Sequence, residues 1–372
     1  MRIVSLDGTE AAVLDLVIAL RSALGGGPPV APIGPDQSAD ALNPDRDVEP
    51  ETALIVSTSG STGNPKGVLL SAEALRASAS ATHARLGGPG RWLLAMPAHH
   101  IAGVQVLVRS LLAGHEPAVL PATGFRPAGF ARAAAPVLAA PGRHYTSLVP
   151  TQLVRVLADA GAGLDALRAF DAVLVGGAAT PTATLTRARA AGVRVVTTYG
   201  MSETAGGCVY DGVPLDGVRV RITDGVVELA GPTLANGYRL DPDAPAFRDG
   251  WFHTSDLGEL TADGNLVVTG RADDVINTGG EKVSAGAVER VLTDAPGVLE
   301  ACVVGLPDEQ WGARVCAAVV TDGTADVRAA VDAVRAALGP HAAPKSVTVV
   351  AELPLRGPGK VDRRAVAALL GG

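Results

Sequence analysis

The spacing of apolar positions along this chain of 372 residues changes rhythm twice. After a short apolar strand, Val13, Leu14, Val17 and Leu20 recur at the three- and four-residue spacing of one helix face. Gly25-Gly26-Gly27-Pro28-Pro29 ends that helix. Residues 28–52 are rich in Pro and Asp, lack periodicity and read as an extended connection. Ala53-Leu54-Ile55-Val56 and Val68-Leu69-Leu70 are strand-like, and the Gly- and Ser-rich stretch between them reads as a loop. Ser71 is placed to cap a helix reaching about residue 86. Strands then alternate with helices. The strands fall at 92–96, 118–120, 145–149, 172–175 and 193–197, and the helices near 104–112, 127–139, from 151, and over 181–191. Such alternation predicts a largely parallel sheet covered by helices.

Near residue 206 short strands with Gly and Asp turns take over, at 218–223, 226–230 and a hairpin around Asp263-Gly264-Asn265. From 272 a mixed pattern begins. It holds a helix from Ser284, strands near Cys302 and Cys316, a helix over 325–338, a strand at 346–350 and a last helix from Asp362. The expected fold is α/β. A large N-terminal domain over 1–271 has parallel-rich sheets with helices and a β-rich portion, and a small α+β domain covers 272–372, with the boundary at 271–274.

Composition narrows the function. Hydrophobic residues make up 47% and charged residues 19%, which suits a globular chain with a large core. A net charge of −7, without any Lys/Arg run, excludes a nucleic-acid binder driven by bulk electrostatics, and 3% aromatic residues leave few platforms for stacking bases. Cys208, Cys302 and Cys316 are far apart and form neither a disulfide framework nor a zinc spacing, so a reduced cytoplasmic setting is expected. Acidic residues at Asp7, Glu10 and Asp15 exclude a signal peptide, and no apolar run reaches membrane-spanning length. The sequence leaves the oligomeric state open, a homodimer included.

The candidate chemistry begins at 57–67, Ser-Thr-Ser-Gly-Ser-Thr-Gly-Asn-Pro-Lys-Gly. Hydroxyl donors, backbone N–H groups exposed by glycine and a lysine together suit a phosphate chain. A Walker loop needs Gly-Lys followed by Ser or Thr, and Pro65-Lys66-Gly67 is not that pattern. Thr197-Thr198-Tyr199-Gly200-Met201-Ser202-Glu203-Thr204 follows a buried-type strand, at the strand end where open α/β sheets bind ligands. Tyr199 offers a flat face for a base, and Glu203 a hard oxygen suited to Mg²⁺. Gly176-Gly177-Ala178-Ala179 follows another strand, and Trp251-Phe252-His253-Thr254-Ser255-Asp256-Leu257-Gly258 contains a carboxylate able to accept two hydroxyl hydrogen bonds. Gly270-Arg271-Ala272-Asp273-Asp274, Thr278-Gly279-Gly280 and Gly357-Pro358-Gly359-Lys360 complete the series. Taken singly, each has an ordinary reading as a turn, a tight strand-to-helix connection or a solvated surface charge.

Taken in order, these motifs resemble the adenylate-forming enzymes: acyl-CoA synthetases, luciferases and peptide-synthetase adenylation domains. The resemblance covers 53–372. It implies the adenylate-forming fold with a mobile C-terminal lid domain, and ATP, Mg²⁺ and CoA as cosubstrates and cofactor. It assigns Thr58, Ser59, Gly60, Ser61, Thr62, Gly63 and Lys66 to the ATP phosphates. Gly177, Ala178, Thr198, Tyr199, Gly200, Met201 and Ser202 go to the nucleotide, with Gly177 and Gly200 also lining the acyl pocket. Asp256 and Arg271 take the ribose or phosphate, and Glu203 takes Mg²⁺. Lys360 becomes the catalytic lysine, Asp273 the hinge, and Gly279-Gly280 a loop that meets the pantetheine arm. Ser202 stands where the family usually has Thr. The phosphate loop comes early in the chain, which implies that part of the usual N-terminal scaffold is missing or reduced.

Within the family the chain looks most like the o-succinylbenzoate–CoA ligases of menaquinone biosynthesis. The likeness rests on Met96-Pro97-Ala98-His99-His100-Ile101-Ala102-Gly103 and Thr146-Ser147-Leu148-Val149-Pro150-Thr151-Gln152-Leu153. It assigns His100, and Arg109 nine positions later, to the substrate, whose second carboxylate needs a charge or hydrogen-bond partner. Ala98-His99 replaces a bulkier residue before the histidine. The alternatives are a ligase for another aryl or acyl carboxylic acid, transfer to a carrier protein, and a nucleotide-binding homologue without catalysis.

Overall fold

The computed structural model describes residues 1–59, 65–121, 124–355 and 361–371. It divides into two compact units. The first comprises Met1–Gly177, Ala188–Arg221 and Glu228–His253, and the second Ala178–Arg187, Ile222–Val227 and Thr254–Gly372.

The first unit opens with β1 (Arg2–Ser5), α1 (Glu10–Leu24), β2 (Val30–Ile33), β3 (Thr52–Ser59) and β4 (Pro65–Ser71). Thr9 caps α1 by accepting from the Ala12 N–H at 3.2 Å, and Leu16, Val17 and Leu20 form its buried face. β1, β2 and β3 run parallel and β4 returns antiparallel to β3. The sheet order is β1-β2-β3-β4, closed by a strand at Gly237–Tyr238. β2 corrects the expectation of an extended connection over 28–52. Pro32 disguises it, since proline cannot donate to a ladder, and only Val30, paired with Leu54, is held to β3.

A second sheet follows. Its strands are β5 (Arg91–Leu94), β6 (Ala118–Val119), β7 (His144–Leu148), β8 (Ala172–Val175), β9 (Val195–Met201), β10 (Gly206–Tyr210) and β11 (Val213–Pro214). They lie in the order β11-β10-β9-β8-β7-β5-β6, with β6, β5, β7, β8 and β9 parallel. Between them run α2 (Ala72–Arg85), α3 (Ile101–Leu112), α4 (Pro127–Ala139), α5 (Pro150–Asp159), α6 (Ala162–Ala169) and α7 (Thr182–Ala190). Ser71 caps α2 as expected, accepting from the Ala74 N–H at 3.0 Å. β8 is buried along its whole length, the continuous apolar run of a strand covered on both faces. α6 is not anticipated by the sequence, because Gly161 and Gly163 make its start look like a turn. Gly163 is small because a Cβ there would lie 2.9 Å from Pro127 Cβ.

The β-rich portion contains β12 (Arg219–Thr223), β13 (Val226–Ala230), β14 (Gly237–Tyr238), β15 (Phe247–Arg248), β16 (Trp251–Leu260) and β17 (Leu266–Arg271). In the second unit β17 pairs antiparallel with β16. The hairpin of β18 (Val275–Thr278) and β19 (Glu281–Ser284) comes next, followed by α8 (Ala285–Asp294), β20 (Val298–Asp308), β21 (Gly312–Thr321), α9 (Val327–Leu338), β22 (Ser346–Val349) and α10 (Arg363–Gly371). β20 and β21 bury both faces. Val303, Val315, Ala317 and Val319 point to a core with α8 and α9, whereas Cys302, Val304, Cys316 and Ala318 point to a core with Val366 of α10. That two-residue alternation accounts for the burial of Cys302 and Cys316. Among the described residues no helix is long and apolar enough to cross a membrane.

Candidate active site

The two flanks of the motif at 57–67 are paired antiparallel, as the ends of β3 and β4. Ser57 faces Gly67, Thr58 faces Lys66 and Ser59 faces Pro65. The Thr58 hydroxyl donates to the Lys66 carbonyl at 3.4 Å. Gly60, Ser61, Thr62 and Gly63, with the Ser59 side chain, lie outside the described residues. Lys66 Nζ sits over the ring of Tyr238, 4.6 Å from its centroid. Tyr238 is 5% exposed and pairs with Val68 across β14 and β4. Its hydroxyl donates to Glu203 Oε1 at 2.8 Å. Three separated stretches of chain therefore meet around one phenol. Burial, reinforced by the Glu203 charge, pushes the Tyr238 pKa well up, which keeps the hydroxyl a neutral donor.

Glu203 lies in a single 3₁₀ turn, Ser202–Thr204, directly after β9. The Met201 N–H donates to Thr204 Oγ1 at 3.0 Å and the Thr204 hydroxyl donates to the Gly206 carbonyl at 2.8 Å. The Glu203 carbonyl accepts from the Ala235 N–H at 2.8 Å. These bonds fix the backbone under the carboxylate. Just before the turn, β9 and β10 approach so closely that a Cβ on Gly200 would lie 2.2 Å from the Gly206 carbonyl oxygen.

Parallel pairing of β8 and β9, with Val175 opposite Thr197, brings the Gly176-Gly177 and Thr198-Tyr199 motifs to one carboxyl edge of the sheet. A Cβ on Gly176 would stand 2.2 Å from Thr198 Oγ1. Gly177 turns the chain at φ +86°, where glycine is favoured. Tyr199 and Met201 are partly buried, Ser202 is buried and Ala178 is exposed.

At the start of α3 the rings of His99 and His100 lie tilted at 48° with centroids 4.2 Å apart, and His100 occupies the N-cap in extended conformation. Arg109, near the other end of α3, is 3% exposed. Its guanidinium lies 4.9 Å over Trp92 and donates to the Tyr210 hydroxyl at 3.3 Å, while its Nε has no partner among the described residues. Burial lowers its pKa.

In the second unit Asp256 and Arg271 are cross-strand partners on β16 and β17. Arg271 Nη1 lies 3.1 Å from Asp256 Oδ1 and its Nη2 lies 2.8 Å from Asp273 Oδ2. One guanidinium thus connects the ribose-site candidate to the hinge candidate. Gly279 and Gly280, at φ +61° and +87°, form the two-residue turn between β18 and β19, which needs positive φ at both positions. A Cβ on Gly279 would also strike the Trp311 ring at 2.7 Å. Lys360 lies outside the described residues, but the segment carrying it is flanked by an antiparallel bridge between Leu355 and Val361.

Residues 9–238 match the AMP-binding enzyme family, and residues 287–360 match the AMP-binding enzyme C-terminal domain. The chain belongs to the AMP-binding enzyme family. A probable 2-succinylbenzoate–CoA ligase of Mycobacterium tuberculosis (strain CDC 1551 / Oshkosh) is 47% identical over 371 residues, covering 96% of this chain and 95% of that one. The 2-succinylbenzoate–CoA ligase of Bacillus mycoides (strain KBAB4) is 32% identical over 348 residues, covering 86% and 70%. Among solved structures, the o-succinylbenzoate CoA synthetase of Bacillus subtilis in complex with the acyl-adenylate intermediate OSB-AMP aligns with a TM-score of 0.73 and 25% identity, covering 94% of this chain and 80% of that one. The expected α/β adenylate-forming fold is borne out.

An AMP-binding enzyme uses its nucleotide phosphates as ligands, and the donor set fits that use. Among the described residues no cluster of three His, Cys, Asp or Glu side chains could hold a metal alone. Mg²⁺ usually takes one or two carboxylates and completes its shell with water and substrate phosphates, so a single oriented Glu203 suits it. Tyr238 escaped the sequence reading. Its hydrogen-bond partner is 35 residues away, and a lone Gly-Tyr pair has no spacing that marks it.

Proposed function

We propose that the protein is an o-succinylbenzoate–CoA ligase of menaquinone biosynthesis. A carboxylate oxygen of the acid attacks the α-phosphate of ATP, forming acyl-AMP as the bond to pyrophosphate breaks. The CoA thiolate then attacks the acyl carbonyl, forming the thioester and expelling AMP. Thr58 through Lys66 hold the β- and γ-phosphates, and Glu203 would supply the protein oxygen for Mg²⁺, which when bound would neutralise phosphate charge. Tyr199 and Gly177-Ala178 hold adenine, and Asp256 and Arg271 hold the ribose. Lys360 bridges the attacking carboxylate and the α-phosphate as charge shifts between them. Asp273 is the hinge that separates the two half-reactions, with Gly279-Gly280 serving the thiol step.

The observation that carries the choice of acid is Arg109. An enclosed guanidinium with no acidic partner among the described residues is costly, and a second carboxylate on the substrate would repay that cost. The experiment is pyrophosphate release with ATP, CoA and a panel of acids. o-Succinylbenzoate should be preferred over monocarboxylic benzoates, and equal turnover of both would overturn the substrate assignment. Lys360→Ala should lower adenylation by orders of magnitude while thioester formation from supplied acyl-adenylate survives. Equal loss of both steps would remove Lys360 from its role.

A further inference from the structure

We propose that Tyr238 is the positioning residue of the phosphate-and-metal side of the site, orienting the Glu203 carboxylate through its hydroxyl and holding Lys66 over its ring. The inference rests on the reading of Glu203 as the Mg²⁺ donor and Lys66 as a phosphate holder. A glutamate and a lysine both lose side-chain entropy when fixed. Two opposite charges that both meet one side chain would also tend to pair with each other rather than wait for ligand. Tyr238 fixes both groups before ligand arrives and engages each of them separately. Its hydroxyl engages Oε1 of Glu203 at 2.8 Å, which on this proposal gives Oε2 to the cation. Its ring gives Lys66 Nζ an uncharged seat 4.6 Å from the centroid, where the attraction is weak enough for phosphate to displace it. Among the described residues Lys66 and Glu203 form no ion pair, and Tyr238 touches both.

The tyrosine is itself held firmly. Phe247 packs edge-on against its ring with centroids 5.3 Å apart. Arg239 next to it donates its backbone N–H to the Gly67 carbonyl at 2.7 Å, so β14 is fixed to the strand carrying Lys66.

Tyr238→Phe removes the hydroxyl and keeps the ring. Mn²⁺ serves as the probe, with its binding to the full-length enzyme and a non-hydrolysable ATP analogue followed by electron paramagnetic resonance. Partners that orient a metal ligand are worth tenfold or more in metal affinity, so about a tenfold rise in the Mn²⁺ dissociation constant is expected. A merely structural tyrosine would change thermal stability and leave this constant alone. Glu203→Gln is the companion variant. Loss of Mn²⁺ affinity in Glu203→Gln with wild-type affinity in Tyr238→Phe overturns the assignment of Tyr238 alone. Wild-type affinity in both variants overturns the metal reading of Glu203, and this inference with it.

Discussion

His83 shows how the buried polar cluster beside Arg109 constrains protonation. Trp92 Nε1 donates to His83 Nε2 at 3.4 Å, so that nitrogen must be unprotonated. Burial, with a smaller contribution from the positive charge of Arg109, lowers the His83 pKa to about 4. The unfolded chain, with an ordinary histidine near 6.5, binds the proton first as pH falls. Stability is therefore flat above about 6.5 and declines as pH drops from there toward about 4. His83→Gln keeps an acceptor for Trp92 and removes the titration. Thermal melts between pH 4 and 7 should show a shallower decline for the variant. Identical slopes would mean that His83 is not the group responsible. The same cluster places Arg109 in a dry environment, where an arriving carboxylate is attracted more strongly than at a wet surface.

Elements with local causes were legible in the sequence, and elements with remote causes were not. The caps at Ser71 and Ser284, the apolar run of β8 and the alternation of β20 and β21 are written in adjacent residues. β2 owes its place to neighbours on both sides and hides behind Pro32, and Tyr238 acquires its meaning from Lys66 and Glu203. Gly200 belongs with them, because its requirement comes from a strand that follows it. β9 and β10 pair there with Gly200 opposite Gly207 and a register shift just beyond, leaving no room for a methyl group. Gly200→Ala must push backbone, and overpacking of this kind costs about 1–3 kcal/mol. Gly129→Ala is the contrast. It lies in α4 with only the tip of Arg132 near, 3.9 Å away, so alanine should stabilise by roughly 0.5–1 kcal/mol. Denaturant midpoints moving in opposite directions would bear out the pair, whereas a shared direction would count against a packing limit at Gly200.

At the scale of the whole molecule, the second unit ties the turn that carries its hinge candidate to its last helix. Asp273 and Asp274 are neighbours in one 3₁₀ turn yet face different cations. Asp273 binds Arg271 at 2.8 Å, while Asp274 Oδ2 lies 3.0 Å from Arg363 Nε. Arg363 also forms a two-pronged contact with Glu289, at 2.7 and 3.0 Å, and donates to the Val303 carbonyl at 2.7 Å. Burial raises the Glu289 pKa, and the charge and hydrogen bonds of Arg363 oppose that. Lys360 is three residues upstream of Arg363, and the Asp362 N–H donates to the Pro354 carbonyl at 2.8 Å at the base of its segment. Arg363→Ala strands the enclosed Glu289 charge and should cost about 3 kcal/mol, read as a lower denaturant midpoint. It also detaches the base of the Lys360 segment from the turn at Asp274. If Lys360 acts in adenylation, assays below the variant's melting range should show that step falling about tenfold or more, because small misplacements of a catalytic group are expensive. Thioester formation from supplied acyl-adenylate should fall much less. Arg363→Lys keeps one charge without the planar fork and should recover part of the stability but little of the adenylation rate. Parallel loss of both half-reactions in both variants would make Arg363 a strut of the C-terminal fold and nothing more.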